Sequence, residues 1–294
     1  MSSILDTIGN TPLITIDDIS AKLETTNPTG SIKDRMAWYI VRRAEERGEL
    51  HKGSEIIEIT SGNTGIAFAM ISALRGYRFT AVMPESMSME RRQMMLSFGA
   101  KIVLSPAKED MPGALRVYHE LITESPGAWL PKQFENPDNC AAHREGVGRE
   151  IIRQMAGDID AFVAGTGTGG TLIGVAQALK DANIRARIIA VEPEESAVLS
   201  GKEAGLHLIQ GIGEGFIPKI LQEHWSLVDE VITVPGRDAV HMSEELAKKH
   251  GVLVGISSGA NVIAARKAKE RYRRVVTILP DRGERYLSAR QQRS

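Results

Sequence analysis

The segment Ala161-Phe-Val-Ala-Gly-Thr-Gly-Thr-Gly-Gly-Thr171 joins a short apolar run to a loop made only of glycine and threonine. The apolar run predicts a buried strand, and residues 172–180 predict the helix that follows it. Small residues let backbone N–H groups at a helix start converge on an anion, while Thr168 and Thr171 add hydroxyl donors. The segment therefore predicts a strand–loop–helix unit of an α/β fold that carries an anion-binding loop.

Short β-branched runs alternate with helical sequence along the rest of the chain, as in parallel sheets covered by helices on both faces. The predicted strands are 55–60, 79–83, 101–104, 161–164, 186–191, 230–234 and 274–279. The pattern breaks near residues 133–140, where Asn-Pro-Asp-Asn interrupts it. We therefore expect an α/β fold with two open, mostly parallel sheets flanked by helices.

Composition excludes several functional classes. The 294 residues carry a formal charge of -1, which argues against binding to nucleic acid or to a membrane surface. Apolar runs such as 66–74 are far shorter than the roughly 20 residues that cross a bilayer. A single cysteine, Cys140, excludes an intrachain disulfide, and no metal-ligand spacing is present. With no secretory signal visible, the expected location is cytoplasmic.

A lysine in a chemically suggestive position lies in Asn27-Pro-Thr-Gly-Ser-Ile-Lys-Asp-Arg35. Ser31 can cap a helix that runs to Arg47, which puts Lys33 in the first turn. The positive end of the helix dipole disfavours an ammonium there, and a neutral amine is what a Schiff base requires. Taken alone, the segment is more typical of a surface lysine flanked by Asp34 and Arg35 on a solvated helix end.

Two further polar loops, Thr60-Ser-Gly-Asn-Thr-Gly65 and Gly255-Ile-Ser-Ser-Gly-Ala-Asn261, are each expected to join a strand to a helix. The first combines hydroxyls, an amide and flexible backbone, which suits a carboxylate or a phosphate. Both loops are also typical of ordinary helix caps. Ligands of open α/β sheets bind beyond the carboxyl ends of strands, so we expect the site at the loops after Thr60, after Ala164, before Ile256 and after Leu279.

A dinucleotide-binding enzyme is the main alternative. Residues 165–170 spell Gly-x-Gly-x-x-Gly, and Glu192 ends a strand about twenty residues later, as in the Rossmann fingerprint. A nicotinamide oxidoreductase would, however, leave the other polar loops without a role. The motif also lies in mid-chain, after a complete set of strands and helices.

Five more motifs, in one order along nearly the whole chain, resemble the O-acetylserine sulfhydrylase (cysteine synthase) family of fold-type II pyridoxal-phosphate enzymes. They are Thr7-Ile-Gly-Asn-Thr-Pro-Leu13, Met83-Pro-Glu-Ser-Met-Ser88, Gln133-Phe-Glu-Asn-Pro137, Gln210-Gly-Ile-Gly-Glu-Gly-Phe-Ile-Pro218 and Asp281-Arg-Gly-Glu-Arg-Tyr-Leu-Ser288. The resemblance implies a tryptophan synthase β-like fold with the cofactor in the cleft between two lobes. The small, mobile lobe would be residues 35–137, and the large lobe would be residues 1–34 plus 138–294.

The resemblance also implies roles for individual residues. Lys33 would be the catalytic residue and bind pyridoxal 5'-phosphate covalently, Asn63 would hydrogen-bond its phenolic oxygen, and Ser257 would face its pyridine nitrogen. The residues implied to hold the cofactor phosphate are Gly167, Thr168, Gly169, Gly170 and Thr171. Those implied to receive the α-carboxylate of the substrate are Thr60, Ser61, Thr64 and Gln133. No metal is expected.

The implied reaction is β-replacement, which makes L-cysteine from O-acetyl-L-serine and sulfide through an α-aminoacrylate intermediate, with Lys33 as the base. Thiosulfate or a carrier-bound sulfur are alternative donors, and O-phosphoserine or serine are alternative acceptors. Residues 281–282 resemble B-type isozymes, whereas residues 211–218 resemble the A type and cystathionine β-synthases. The resemblance further implies a homodimer and capture of the serine acetyltransferase C-terminus. A catalytically silent relative that acts only as a binding partner is the third alternative.

Overall fold

Strands and helices alternate along most of the chain. The computed structural model describes residues 3–60 and 62–288, with only the backbone of Asp110. In this part of the chain the strands are β1 (Leu13–Ile16), β2 (Ile19–Leu23), β3 (Glu55–Ile59), β4 (Arg78–Pro84), β5 (Lys101–Ser105), β6 (Ala161–Gly165), β7 (Arg187–Pro193), β8 (Glu230–Val234) and β9 (Val275–Leu279).

Helices lie between most of the successive strands. They are α1 (Lys33–Glu46), α2 (Asn63–Arg75), α3 (Met89–Ser97), α4 (Asp110–Glu124), α5 (Pro137–His143), α6 (Arg149–Gln154), α7 (Gly170–Asp181), α8 (Lys219–His224), α9 (Gly236–His250) and α10 (Ile256–Lys269). A π-helical turn, Arg144–Gly148, joins α5 to α6. Short 3-10 turns lie at Ile4–Thr7, Glu24–Thr26, Ala107–Glu109, Glu194–Ser196, Trp225–Leu227 and Gly283–Tyr286.

The chain divides into two compact units. The three-stranded unit contains the residues up to Asp6, Lys33–Lys132 and the residues from Arg285 onward. The six-stranded unit contains Thr7–Ile32 and Gln133–Glu284. These ranges differ from the predicted lobes at several boundaries, and the lobes stay a prediction.

The three-stranded unit is built on a wholly parallel sheet with the order β3-β4-β5. Ile57 and Val82 on its central positions are fully buried, and Tyr118 from α4 packs against them. Strands β3 and β4 are buried over most of their length, whereas the edge strand β5 is more exposed. All three were predicted from their apolar runs.

The six-stranded unit has the sheet order β1-β2-β9-β6-β7-β8, in which every pairing except β1 with β2 is parallel. Its core joins the apolar faces of β6, β9 and α7, with Phe162, Leu172 and Val276 fully buried. The prediction of two mostly parallel sheets with flanking helices is confirmed.

Two local features differ from the sequence prediction. The hairpin of β1 and β2 was not predicted; it turns at Asp17 and Asp18, both of which take the positive φ of a two-residue hairpin turn. The strand expected just before Gly255 is wrong, because Val254 forms only an isolated bridge with Arg282. Both edges of the neighbouring strand β9 are already paired, with β2 and with β6, so no sheet edge is available there.

A buried ion pair ties the hairpin to α6. Lys22 on β2 is fully buried, and its Nζ lies 2.7 Å from Glu150 Oε2. The same ammonium donates to the Thr11 carbonyl at 2.6 Å and to Gln154 Oε1 at 2.9 Å. These three oxygens offset the large cost of burying the charge.

Lys22→Met is expected to lower the free energy of unfolding by about 3–5 kcal/mol, because it leaves the Glu150 carboxylate buried without its cation. Urea denaturation of the purified protein measures this loss. The matched control is Lys248→Met. The side chains of Lys248 and its partner Glu244 are both exposed to solvent, so this substitution should lower the free energy of unfolding by less than about 1 kcal/mol. Equal losses in the two variants would contradict the stabilising role of the Lys22 pair.

Cys140 on α5 is buried in the core of the six-stranded unit. Burial, with a smaller contribution from the Glu223 carboxylate, raises the pKa of its thiol to about 12. We expect the native protein to resist an aromatic disulfide reagent at pH 8 and to react with one equivalent once unfolded, since this is the only cysteine. Rapid stoichiometric labelling of native protein, followed by absorbance, is the result that would refute this.

Candidate functional site

The glycine loop at residues 165–171 leads from the carboxyl end of β6 into the first turn of α7. Gly169 has a φ of 82°, and a Cβ there would lie 2.5 Å from the Leu221 side chain. A Cβ on Gly167 would lie 2.6 Å from the Gly211 carbonyl oxygen. Because no side chain fits at either position, the loop presents backbone to any ligand at the helix start.

The two buried hydroxyls of this loop have opposite hydrogen-bond roles. Thr166 donates to the carbonyl of Val191 at 3.1 Å, so its hydrogen is used within the fold. Thr168 Oγ1 instead accepts from Gly170 N at 3.3 Å and from Asn139 Nδ2 at 3.0 Å. A hydroxyl has two lone pairs and one hydrogen, so Thr168 is left with a donor to offer. A loop of backbone N–H groups with one outward hydroxyl donor fits a phosphate.

Thr171 follows in the first turn of α7, where its Oγ1 lies 3.3 Å from Nε2 of the buried His143. This contact holds the threonine side chain against the end of α5. The five residues predicted to bind the phosphate, 167–171, thus all lie at the N-terminus of one helix, α7.

The residues that precede Lys33 are fixed at the carboxyl end of β9. Ile32 N donates to the Pro280 carbonyl at 2.9 Å, and its side chain is buried in the core. Arg282 N donates to the Gly30 carbonyl at 3.1 Å. Since β9 pairs with β6, this anchor lies at the same sheet edge as the glycine loop.

Ser257 belongs to the same edge of the sheet. It lies buried in the first turn of α10, and the Gly255 N–H at the start of that helix donates to the Asp281 carbonyl at 3.0 Å. Asn261, one turn further along α10, accepts from Gly165 N at 2.8 Å and donates to the Ile278 carbonyl at 2.8 Å. Three of the four loops expected to line the site thus meet at one sheet edge, as the rule for open α/β sheets requires.

Lys33 is the first residue of α1, which confirms its predicted place in the first turn of a helix. The next two residues, Asp34 and Arg35, are buried. The alternative of a solvated helix end is therefore wrong for this segment. Lys33 itself is half-buried.

The asparagine loop lies in the three-stranded unit, between β3 and α2. Thr60 is buried, and its Oγ1 accepts from Gly62 N at 3.0 Å and from Gly65 N at 3.1 Å. Its oxygen thus stabilises the loop, and the hydroxyl hydrogen is the group it can offer to a ligand. Thr64 is buried in the first turn of α2, and the predicted substrate residue Ser61 lies outside the described residues.

Asn63, at the start of α2, is oriented by a residue from near the C-terminus. The guanidinium of the buried Arg285 donates to Asn63 Oδ1. The Ser88 hydroxyl donates to the Arg285 carbonyl at 3.1 Å, and the Arg91 guanidinium lies 4.7 Å from the centre of the Tyr286 ring. Because the amide oxygen faces Arg285, the orientation of the Asn63 donor, Nδ2, is set by the fold.

The predicted site residues fall into two groups. Lys33, Thr60, Asn63 and Thr64 belong to the three-stranded unit, whereas Gln133, Ser257 and the glycine loop belong to the six-stranded unit. Sequence reasoning missed three buried polar residues that hold these loops: Asn139, Asn261 and Arg285. Each lies within a motif that was noticed for another reason, and a buried amide or guanidinium becomes informative only when its partners are known.

The hydrogen bonds of Glu192 argue against the alternative of a dinucleotide-binding enzyme. This buried carboxylate accepts from the backbone N–H groups of Leu199 and Ser200 at 2.8 and 3.0 Å, and from the Ser200 hydroxyl at 2.6 Å. These three hydrogen bonds tie the buried carboxylate to its own loop, which argues against the ribose contact that the Rossmann fingerprint requires.

The described residues contain neither a cluster of metal ligands nor a helix that could span a membrane. Within 3–60 and 62–288, no three histidine, cysteine or acidic side chains are grouped as metal ligands would be. Over the same residues no helix combines the length and the apolar character needed to cross a membrane.

Comparison with known proteins gives a consistent answer. Residues 4–281 match the family model described as pyridoxal-phosphate dependent enzyme. Cysteine synthase B of Campylobacter jejuni is 46% identical over 291 residues, which cover 97% of this chain and 96% of that protein.

Solved structures agree with the sequence relatives. A cysteine synthase from Entamoeba histolytica superposes with a TM-score of 0.94 at 43% identity, over 100% of this chain and 91% of that one. An O-ureido-L-serine synthase superposes with a TM-score of 0.92 at 42% identity, over 98% and 94%. With a family match over nearly its whole length, and a glycine loop that fits the cofactor phosphate, this chain belongs to the family of pyridoxal-phosphate dependent enzymes.

Proposed function

We propose that this chain is a cysteine synthase, which replaces the acetate of O-acetylserine with sulfide and keeps pyridoxal 5'-phosphate on Lys33. The observation that carries the proposal is the placement of the lysine. Its neighbour Ile32 is hydrogen-bonded at the carboxyl end of β9, the strand beside the phosphate-type loop of β6. The names of the Campylobacter and Entamoeba relatives support this activity.

The bound cofactor would supply an electron sink for the pair of electrons left at the substrate Cα. The Lys33 amine would be the base that takes the Cα proton and later returns it. Ser257 would offer a neutral hydroxyl to the ring nitrogen, and such a group would not stabilise a protonated ring as a carboxylate does. A weaker electron sink favours expulsion of a leaving group from Cβ.

The substrate carboxylate would bind at the asparagine loop through Thr60, Ser61 and Thr64, with Gln133 as a further donor. Thr60 suits this role because its oxygen already accepts two backbone N–H groups, which directs its hydrogen toward a ligand. Asn63, oriented by Arg285, would donate through Nδ2 to the phenolic oxygen of the cofactor.

The assembly and location belong to the same proposal. On the resemblance to cysteine synthases we propose a homodimer in the cytoplasm, with the small lobe moving when the carboxylate binds. A C-terminal peptide of serine acetyltransferase would compete for the carboxylate-binding loop, because its terminal carboxylate offers the same chemistry as the substrate.

The test of the proposed function is a spectrum of the purified holoenzyme. We expect the absorbance of the bound cofactor to change on addition of O-acetylserine and to return on addition of sulfide, with cysteine as product and with ping-pong kinetics. O-phosphoserine and serine as acceptors, and thiosulfate as donor, are run in parallel to rank the substrates. A protein that holds the cofactor and yet shows no change with any acceptor would refute the proposed function.

Lys33→Ala is expected to abolish covalent retention of the cofactor after borohydride reduction, since the amine that forms the bond is gone. Loss of the base alone should lower kcat by about 10²- to 10⁴-fold. Mass spectrometry of the reduced protein measures the first effect and cysteine formation the second. Lys52→Ala, at an exposed lysine, is the control and should behave as the wild type. Labelling of the Lys33→Ala protein on another lysine would overturn the assignment.

A further inference from the structure

The buried residue Asn139 lies between two parts of the proposed site. It belongs to α5 and is 1% exposed. Its Nδ2 donates to the Gln133 carbonyl at 2.8 Å and to Thr168 Oγ1 at 3.0 Å. One amide group therefore contacts a proposed substrate residue and a proposed phosphate residue at the same time.

The orientation of this amide follows from its partners. A backbone carbonyl can only accept, so the atom of Asn139 that faces the Gln133 oxygen must be the nitrogen. The other atom, Oδ1, has no hydrogen-bond partner among the described residues and lies against Gly170, where a Cβ would come within 2.0 Å of it. The side chain is thus held by its two donated hydrogen bonds and by close packing on the start of α7.

This contact determines what the Thr168 hydroxyl can do. Its oxygen receives the Asn139 hydrogen and the Gly170 N–H, which uses both lone pairs. The hydroxyl hydrogen must then be donated, and the helix N-terminus beside it is where an anion is stabilised. Thr166, two residues before Thr168, instead donates its hydroxyl hydrogen to the Val191 carbonyl.

We propose that Asn139 is a positioning residue of the cofactor site: it keeps the Thr168 hydroxyl as a donor to the phosphate and ties Gln133 to the same loop. This inference rests on the proposed cofactor site but not on the identity of the substrates. Asn139 would not touch the phosphate itself and would act through Thr168.

Asn139→Asp is the sharpest test because it keeps the shape and reverses the hydrogen-bond role. A carboxylate accepts, so it would take the Thr168 hydrogen away from the phosphate and would also face the Gln133 carbonyl. We expect pyridoxal-phosphate to bind about 10- to 100-fold more weakly, the range for loss of a hydrogen bond to a charged group. We also expect a shift of the ³¹P resonance of the bound cofactor in the holoenzyme.

Two further variants separate positioning from folding. Asn136→Ala removes the N-cap of the same helix, where Asn136 accepts from Asp138 N at 2.9 Å, and should lower the melting temperature while leaving cofactor affinity and the ³¹P resonance unchanged. Asn139→Ala removes the donor without adding charge, and serves in place of Asn139→Asp if that protein does not fold. It should weaken cofactor binding by a smaller factor.

A double-mutant cycle with Thr168→Val tests the route of the effect. If Asn139 acts through the Thr168 hydroxyl, Asn139→Asp should weaken binding much less in the Thr168→Val background than in the wild type. Equal losses in both backgrounds, or wild-type affinity in Asn139→Asp, would overturn the inference. A wild-type protein that failed to bind pyridoxal-phosphate at all would instead refute the proposed cofactor site.

Discussion

The hydrogen-bonded connection between Gly30–Ile32 and Pro280–Arg282 is the constraint on which the proposed site depends. It brings the residues before Lys33 to the carboxyl end of β9, although the two segments are some 250 positions apart in the sequence. The strand beside β9 is β6, which ends in the glycine loop. The residues immediately before Lys33 are therefore held by backbone hydrogen bonds at the edge of the six-stranded sheet.

The two loops proposed to bind anions use the same arrangement of hydrogen bonds. Thr60 and Thr168 are both buried, and each oxygen accepts two N–H groups from its surroundings. In both cases the lone pairs are used by the protein and the hydrogen is left for a ligand. A threonine placed in this way acts as a donor of fixed direction, which suits carboxylates and phosphates better than a freely rotating hydroxyl.

Buried polar side chains hold these loops in place through hydrogen bonds. Asn261 joins the glycine loop to β9, Asn139 joins it to Gln133, and Arg285 orients Asn63. Such groups are costly to bury unless their hydrogen bonds are made, so they restrict the loops to the geometry in which those bonds form. A rigid frame of this kind keeps ligand-binding groups in position before any ligand arrives.

The sequence by itself determined the strands β3 to β9, the glycine loop, the place of Lys33 in the first turn of a helix, and the family, but not the hairpin of β1 and β2. These depend on local patterns: apolar runs for buried strands, glycine where no Cβ fits, and motifs that keep their order. Only the tertiary structure decided that Glu192 serves its own loop, that Asp34 and Arg35 are buried, and that Asn139 contacts Thr168. A polar side chain has the same appearance in a sequence whether it faces water or a partner 29 residues away, because its role depends on which atoms the fold brings within hydrogen-bonding distance.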